Sequence, residues 1–177
     1  MVEYSAIFSG VTLLILLLGL VTPWISVVGT DYSMMSFINM KTGVFKPPEN
    51  GGMMNPEMEV RARDFANMII VSMALFILAV ISAVAGFKFE TGLLFSGVFA
   101  LLSSIIFIFG LENFLSYIAS QMGIFGGLTK VFVQKGAGVY ITMLGGGIAI
   151  VGYIISRFLK GRQEAARAVM ITGEKEE

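Results

Sequence analysis

The side chains that could carry chemistry in this sequence are a few carboxylates and a cluster of methionines. Glu57, Glu59 and Asp64 lie close together, and Glu112 follows farther along the chain. Carboxylates can serve as general acids or bases when they face a substrate. Thioether sulfur is a soft ligand that suits Cu(I). The clustered methionines are Met34, Met35, Met40, Met53, Met54 and Met58.

The residue types that would complete such chemistry are absent, since the chain contains no histidine and no cysteine. Histidine is the usual general base and a common metal ligand, and cysteine supplies thiolate nucleophiles. We therefore expect the carboxylates to be solvated loop charges and the methionines to be adaptable apolar filler. The sequence predicts no enzyme, no metal site and no cofactor. A membrane enzyme, or an accessory subunit of one, is kept as a third hypothesis.

The composition indicates a membrane protein. Of the 177 residues, 56% are hydrophobic and only 14% are charged, whereas a soluble domain has about 25% charged residues. The mean hydropathy is +0.84. Formal net charge is zero, so no basic field favours nucleic acid as a partner. The expected surroundings are a lipid bilayer.

Four runs without charge cover about residues 6–28, 65–87, 91–111 and 136–158. Each is long enough for a helix to cross a hydrocarbon core of about 30 Å. The sequence predicts a single all-α membrane domain over residues 1–177, folded as a four-transmembrane-helix bundle. A cleaved signal peptide is the alternative for the first run, but its head lacks Lys and Arg. We expect a retained helix with Trp24 at the membrane interface.

The segments between and after these runs complete the predicted layout. Residues 29–64 form a long outer loop, and residues 112–135 form a shorter one. In the long loop, β-favouring residues 33–40, a turn at Lys41-Thr42-Gly43 and residues 44–46 predict a small β-hairpin. An isolated hairpin is only marginally stable in water, so it needs something to pack on. Residues 159–177 predict an amphipathic tail that continues the fourth helix.

Charge does not decide the orientation of the predicted helices. An even number of spans puts both termini on one side, and basic residues are equally numerous on the two sides. Arg157, Lys160 and Arg162 cluster at the end of a predicted helix, where the positive-inside rule is strongest. We therefore expect cytoplasmic N- and C-termini in an integral, multi-pass protein.

Small residues recur at helical spacing in the second, third and fourth runs. Close backbone approach is the main source of helix packing in lipid, so these residues are helix-packing candidates. Packing inside one bundle is the expected role, and an oligomer interface is the alternative. Gly145-Gly146-Gly147 favours a tight helix crossing, with a broken transporter helix as the alternative. The candidates are Ala79, Ala83, Ser96, Ala100, Ser104, Gly138, Gly145, Gly146, Ala149 and Gly152.

Several short motifs in this sequence resemble those of a known superfamily. Pro23-Trp24 ends the first run, Asn39 to Lys46 carries Thr42-Gly43 at its turn, and Ala62-Arg63 leads into the second run. With the order of runs and loops, these motifs resemble the superfamily of claudins and peripheral myelin protein. The superfamily's Gly-Leu-Trp motif and its two loop cysteines are missing here. The resemblance implies an outer β-sheet built by both loops, termini inside the cell, and a role in assembly, adhesion or modulation of a partner.

The leading functional hypothesis is a non-enzymatic four-span protein that acts in lateral assembly, in adhesion or as an accessory subunit. Its outer loops would contact another membrane protein or a second copy of the chain. The alternative is a channel or transporter subunit in which the glycine-rich fourth helix lines or gates a path. The partner-binding candidates are Trp24, Phe37, Ile38, Met40, Val44, Phe45 and Arg63.

Overall fold

The computed structural model describes residues 4–39, 56–123, 127 and 132–173. Helices dominate this part of the chain, and a small sheet joins them. The helices and strands with described bounds are, in chain order, α1 (Tyr4–Val21), β1 (Pro23–Val27), β2 (Thr30–Ser33), α2 (Met34–Asn39), α3 (Pro56–Ala85), α4 (Glu90–Gln121), β3 (Val133–Lys135) and α5 (Ala137–Gly173).

Within the described residues, four helices are long and apolar enough to cross a membrane: α1, α3, α4 and α5. They coincide with the four uncharged runs, so the helical prediction for these runs is confirmed. This arrangement is consistent with an integral, multi-pass membrane protein. The predicted helical continuation of the fourth run is also present, because α5 extends to Gly173.

The first helix is shorter than predicted, because α1 ends at Val21 rather than near residue 28. Pro23 has no N–H with which to continue the helix. Thr22 completes the last turn, and both its N–H (3.0 Å) and its hydroxyl (2.9 Å) donate to the Leu18 carbonyl. The chain then enters β1 at once.

The hairpin lies upstream of its predicted position. β1 and β2 pair antiparallel across Val28 and Gly29, which have φ values of 48° and 80°. Two central residues with positive φ are typical of the tight turns that join hairpin strands. The predicted turn and return strand, residues 41–46, lie outside the described residues.

The predicted strand over residues 33–40 is wrong, because α2 begins at Met34. Ser33 and Ser36 stabilise the start of this helix through reciprocal hydrogen bonds. The Ser36 N–H donates to Ser33 Oγ (3.1 Å), and the Ser33 N–H donates to Ser36 Oγ (3.3 Å). This reciprocal pattern is a capping box, which satisfies free donors at a helix start. Local capping therefore outweighs the β-preference of the side chains.

The helix that follows the long loop, α3, and the helix that precedes the shorter loop, α4, are also longer than predicted. α3 starts at Pro56, where proline suits the first helical turn and Glu57 and Glu59 complement the helix dipole. α4 continues to Gln121, so residues 112–121 are helix rather than loop. Phe114 of α4 stacks on Phe65 of α3, with ring centroids 4.8 Å apart. This contact shows that the helix pair continues beyond the uncharged runs.

The sheet takes strands from both segments between the long helices. β1 is central, and it pairs antiparallel with β2 on one side and with β3 on the other. Two further hydrogen bonds extend the pairing, from the Val28 N–H to Phe132 O and from the Gly136 N–H to Trp24 O, both 2.9 Å. The sheet is therefore tied directly to the start of α5.

Small side chains give close helix contacts in the interior of the bundle, beside large buried side chains such as Leu16, Phe76 and Phe107. Ser72 of α3 and Ser103 of α4 each donate their hydroxyl to the other residue's carbonyl oxygen at 2.8 Å. Between α4 and α5, a Cβ on Gly97 would lie only 2.7 Å from the Gly146 carbonyl oxygen. All ten helix-packing candidates are buried: Ala79, Ala83, Ser96, Ala100, Ser104, Gly138, Gly145, Gly146, Ala149 and Gly152.

Candidate interaction site

Trp24 joins the sheet to the helices. Its side chain is fully buried, and its indole N–H donates to the Gly19 carbonyl at 2.7 Å. The ring meets Phe76 of α3 and Phe107 of α4 edge to face, at centroid distances of 5.8 and 5.1 Å. A Cβ on Gly138 of α5 would overlap the indole, so glycine is required there. Because no part of the ring is exposed, Trp24 cannot contact a partner directly, and its prediction as a partner-binding residue is wrong.

A second aromatic group holds the outer edge of the sheet. Tyr32 of β2 stacks on Phe37 of α2 with centroids 6.3 Å apart, and Phe37 lies 6.2 Å from Phe107 of α4. Only 7% of Phe37 is exposed. The expectation that Phe37 offers an exposed contact surface is also wrong, because the Phe37 ring lies in the core beneath α2.

A cavity of about 350 Å³ lies between the sheet and the helices α3 and α4. All three strands and α2 contribute to its wall, and the lining is almost entirely apolar. Ile25 and Val133 come from the sheet, while Ile69, Leu111 and Ile118 come from the long helices. Apolar cavities with rigid walls are the usual form of sites that take an aliphatic or aromatic group.

A polar cleft lies next to this cavity and shares Leu115 and Val133 with it. Lys135 Nζ and Glu112 Oε1 are 2.5 Å apart in the cleft, and both side chains are partly exposed. The hydrogen bond to Glu112 raises the pKa of Lys135, and desolvation by burial partly opposes it. Tyr140 and Gln134 also line the cleft. Sequence analysis missed this pair, because its members belong to different segments of the chain.

The remaining partner-binding candidates differ in location, and some lie outside the described residues. Arg63 is exposed on α3. Ile38 belongs to α2, but its surroundings are not described. Met40, Val44 and Phe45 lie outside the described residues. The nearby Arg61 guanidinium lies 5.7 Å from the Tyr117 ring centroid, which places a cation over an aromatic face at the start of α3.

The side chains first considered for chemistry do not converge on one point in the described part of the chain. Glu57, Glu59 and Asp64 are exposed on the first turns of α3. In residues 4–39, 56–123, 127 and 132–173, no group of three or more acidic residues is arranged to hold a metal ion. Of the methionines, Met34 is fully buried and Met35 is exposed on α2. Met40, Met53 and Met54 lie outside the described residues.

Two of the three glycines considered for a transport path pack closely against neighbouring helices. A Cβ on Gly145 would approach the Ile15 side chain of α1 to 3.0 Å, and one on Gly146 would approach the Gly97 carbonyl of α4 to 3.0 Å. These contacts are those of a tight helix crossing. Gly147 differs, since a Cβ there would meet nothing within 4 Å.

Comparison with models of protein families and with curated proteins gives no match to this chain.

Proposed function

We propose that this chain is a non-enzymatic multi-pass membrane protein that binds a protein partner through its sheet. The partner is another membrane protein or a second copy of the chain, and the role is lateral assembly, adhesion or that of an accessory subunit. The termini face the cytoplasm, and the sheet lies on the opposite side. The apolar cavity beneath the sheet is the observation that carries this proposal.

The cavity suits a protein partner because its walls are held in place. Trp24 packs β1 against α1, α3 and α4, so the sheet is fixed to the helices by buried contacts. Rigid apolar pockets that receive an aromatic or aliphatic anchor dominate the binding energy of many protein interfaces. The resemblance to claudins and peripheral myelin protein supports the same kind of role, since it implies partner contacts through the outer loops.

Site-specific photocross-linking in native membranes tests the proposal. A benzoylphenylalanine at Ile118 places the reactive group in the cavity wall. The same residue at Ile105, which is exposed on another part of α4, is the matched control. We expect a discrete protein adduct from position 118 that position 105 does not form. Mass spectrometry then identifies the partner, or a second copy of this chain.

A blocking variant shows whether the adduct depends on the cavity itself. Val133→Trp adds bulk to the shared wall, and it should abolish the adduct from position 118 while the helical content measured by circular dichroism is unchanged. Identical adducts at positions 118 and 105, or an adduct that survives Val133→Trp in a folded protein, would contradict the proposal.

A further inference from the structure

A long apolar groove runs along the exposed face of α5, away from the cavity beneath the sheet. Its floor consists of Tyr140, Met143, Leu144, Gly147, Ile148 and Val151, which recur at the spacing of one helix face. Its walls are Phe8 of α1 and Leu101 of α4. Eleven residues of helix separate the two ends, which corresponds to a length of about 17 Å. This length is close to one leaflet of a hydrocarbon core, about 15 Å.

The glycine in this groove is not explained by packing. Gly145 and Gly146 are pressed against α1 and α4, whereas Gly147 faces open space. A glycine inside a helix lowers helix stability by about 1 kcal/mol relative to alanine in water. A glycine that no packing contact requires therefore weakens the helix. Because position 147 has no side chain, the surface there is left open to a narrow apolar chain.

The groove is continuous with the polar cleft of Lys135 and Glu112. Tyr140 lines both, and 54% of its surface is exposed. The cleft lies where the apolar run of α4 ends at Leu111 and where β3 precedes α5, so it is at the level of the membrane surface. The groove, which is about as long as one leaflet, therefore ends at the ion pair of Lys135 and Glu112.

We propose that this composite surface binds one phospholipid, with an acyl chain over Gly147 and a zwitterionic headgroup at Lys135 and Glu112. The Lys135 ammonium contacts the phosphate, and the Glu112 carboxylate contacts the headgroup amine. A helix of a partner would use the apolar groove alone, whereas an amphiphile uses both the groove and the cleft. The proposal rests on the membrane insertion proposed above, and it does not depend on the protein partner.

Native mass spectrometry of the full chain tests the acyl-chain site. The protein is released from detergent micelles that contain dioleoyl-phosphatidylethanolamine, and the bound lipid is counted. Gly147→Leu adds a side chain to the groove at a position where a Cβ meets nothing within 4 Å, and Gly161→Leu is the matched control, since its Cβ also meets nothing within 4 Å. We expect Gly147→Leu to weaken lipid retention by about tenfold or more, equivalent to about 1.4 kcal/mol, and Gly161→Leu to retain lipid as the unaltered chain does.

Lys135→Gln tests the headgroup site. It should lower retention of the phospholipid severalfold and leave retention of dioleoylglycerol, which has no phosphate, unchanged. Equal lipid retention by the unaltered chain and Gly147→Leu would overturn the proposal. So would a dimer that Gly147→Leu dissociates while lipid retention is unaffected, because the groove would then hold a second copy. Equal losses of both lipids in Lys135→Gln would overturn the headgroup assignment.

A separate measurement distinguishes failure of this proposal from failure of membrane insertion. Alkaline carbonate removes peripheral proteins from membranes and leaves integral ones behind. If the chain resists extraction and Gly147→Leu has no effect on lipid retention, only the lipid site is wrong. If carbonate extracts the chain, the membrane proposal fails and the lipid site fails with it.

Discussion

At the scale of single residues, Trp24 has the largest structural role. It lies next to all four long helices and within the central strand, and its one polar side-chain atom is satisfied by Gly19. A tryptophan near the end of an apolar run is typical of the membrane interface. Here the ring is fully buried instead, because β1 folds back over the helix ends immediately after Thr22.

Truncation of Trp24 should therefore destabilise the whole fold. We expect Trp24→Ala to lower the free energy of unfolding by about 3–5 kcal/mol, because it removes a large buried ring and leaves a cavity. Circular dichroism during denaturation in detergent measures the change. The control Phe109→Ala, at a ring that is mostly exposed on α4, should stay within about 0.5 kcal/mol.

Fluorescence gives an independent check, since Trp24 is the chain's only tryptophan. A buried indole should emit at short wavelength and resist quenching by acrylamide. Thr30→Trp combined with Trp24→Phe places the same chromophore on the exposed strand β2 and should be quenched readily. Equal quenching of the two proteins would contradict the buried position of Trp24.

At the scale of helices, hydroxyl bonds and close backbone contacts join the long helices, alongside large buried side chains such as Phe76 and Phe107. Ser72 and Ser103 join α3 to α4, and Gly97 lets α4 approach α5. In lipid, helices gain no hydrophobic drive from association, so such contacts would supply the packing there. The alanines, serines and glycines named from the sequence are buried in the structure, and their partners were not apparent from the sequence.

The serine pair should show measurable coupling. In a double-mutant cycle with Ser72→Ala and Ser103→Ala, we expect a coupling of about 0.6 kcal/mol, the average measured for hydrogen bonds between membrane helices, and at most about 1.7 kcal/mol. Unfolding by a denaturing detergent provides the four stabilities. Thr142 donates to Gly138 of its own helix and not to Ser72, so a cycle of Ser72→Ala with Thr142→Ala should be additive. Equal coupling in the two cycles would mean that the loss of any two hydroxyls, and not the bond between Ser72 and Ser103, causes the effect.

Replacing glycine by alanine should have opposite effects on protein stability in α4 and in α5. Gly97→Ala should destabilise the protein by about 1–3 kcal/mol, because the new methyl would force α4 and α5 apart. Gly147→Ala should be neutral or stabilising by up to about 1 kcal/mol, since it meets only open space and favours the helix. Thermal unfolding of both variants compares the effects, and equal losses would show that the two positions are not distinguished by packing.

At the scale of the whole molecule, the sheet lies at one end of the bundle and the turn between α3 and α4 lies at the other. Phe65 borders the cavity beneath the sheet, and α3 continues for twenty residues from there to Ala85, about 30 Å. If the helices span a membrane, β2 and Lys88 are therefore on opposite sides. The proposed orientation places Lys88 in the cytoplasm.

The absence of cysteine makes this orientation directly measurable. We expect Thr30→Cys to react with a membrane-impermeant maleimide on intact cells, and Lys88→Cys to react only after permeabilisation. The unaltered chain is the control, because it should not be labelled. Labelling of Lys88→Cys alone on intact cells would invert the orientation, and labelling of both variants would contradict the four-span arrangement.

The sequence by itself determined the four long apolar helices, because uncharged runs of this length pair their backbone groups most simply as helices. It also identified small residues that are buried in the bundle, but it missed the short helix α2 and the continuation of α4 to Gln121. The tertiary structure decided where the strands lie and which side chains meet. The three strands are short, β1 and β3 pair across more than one hundred residues, and the capping of Ser33 and Ser36 redirects the segment that follows. The cleft of Lys135 and Glu112 likewise exists only because β3 brings Lys135 to α4, a long-range contact that no local pattern encodes.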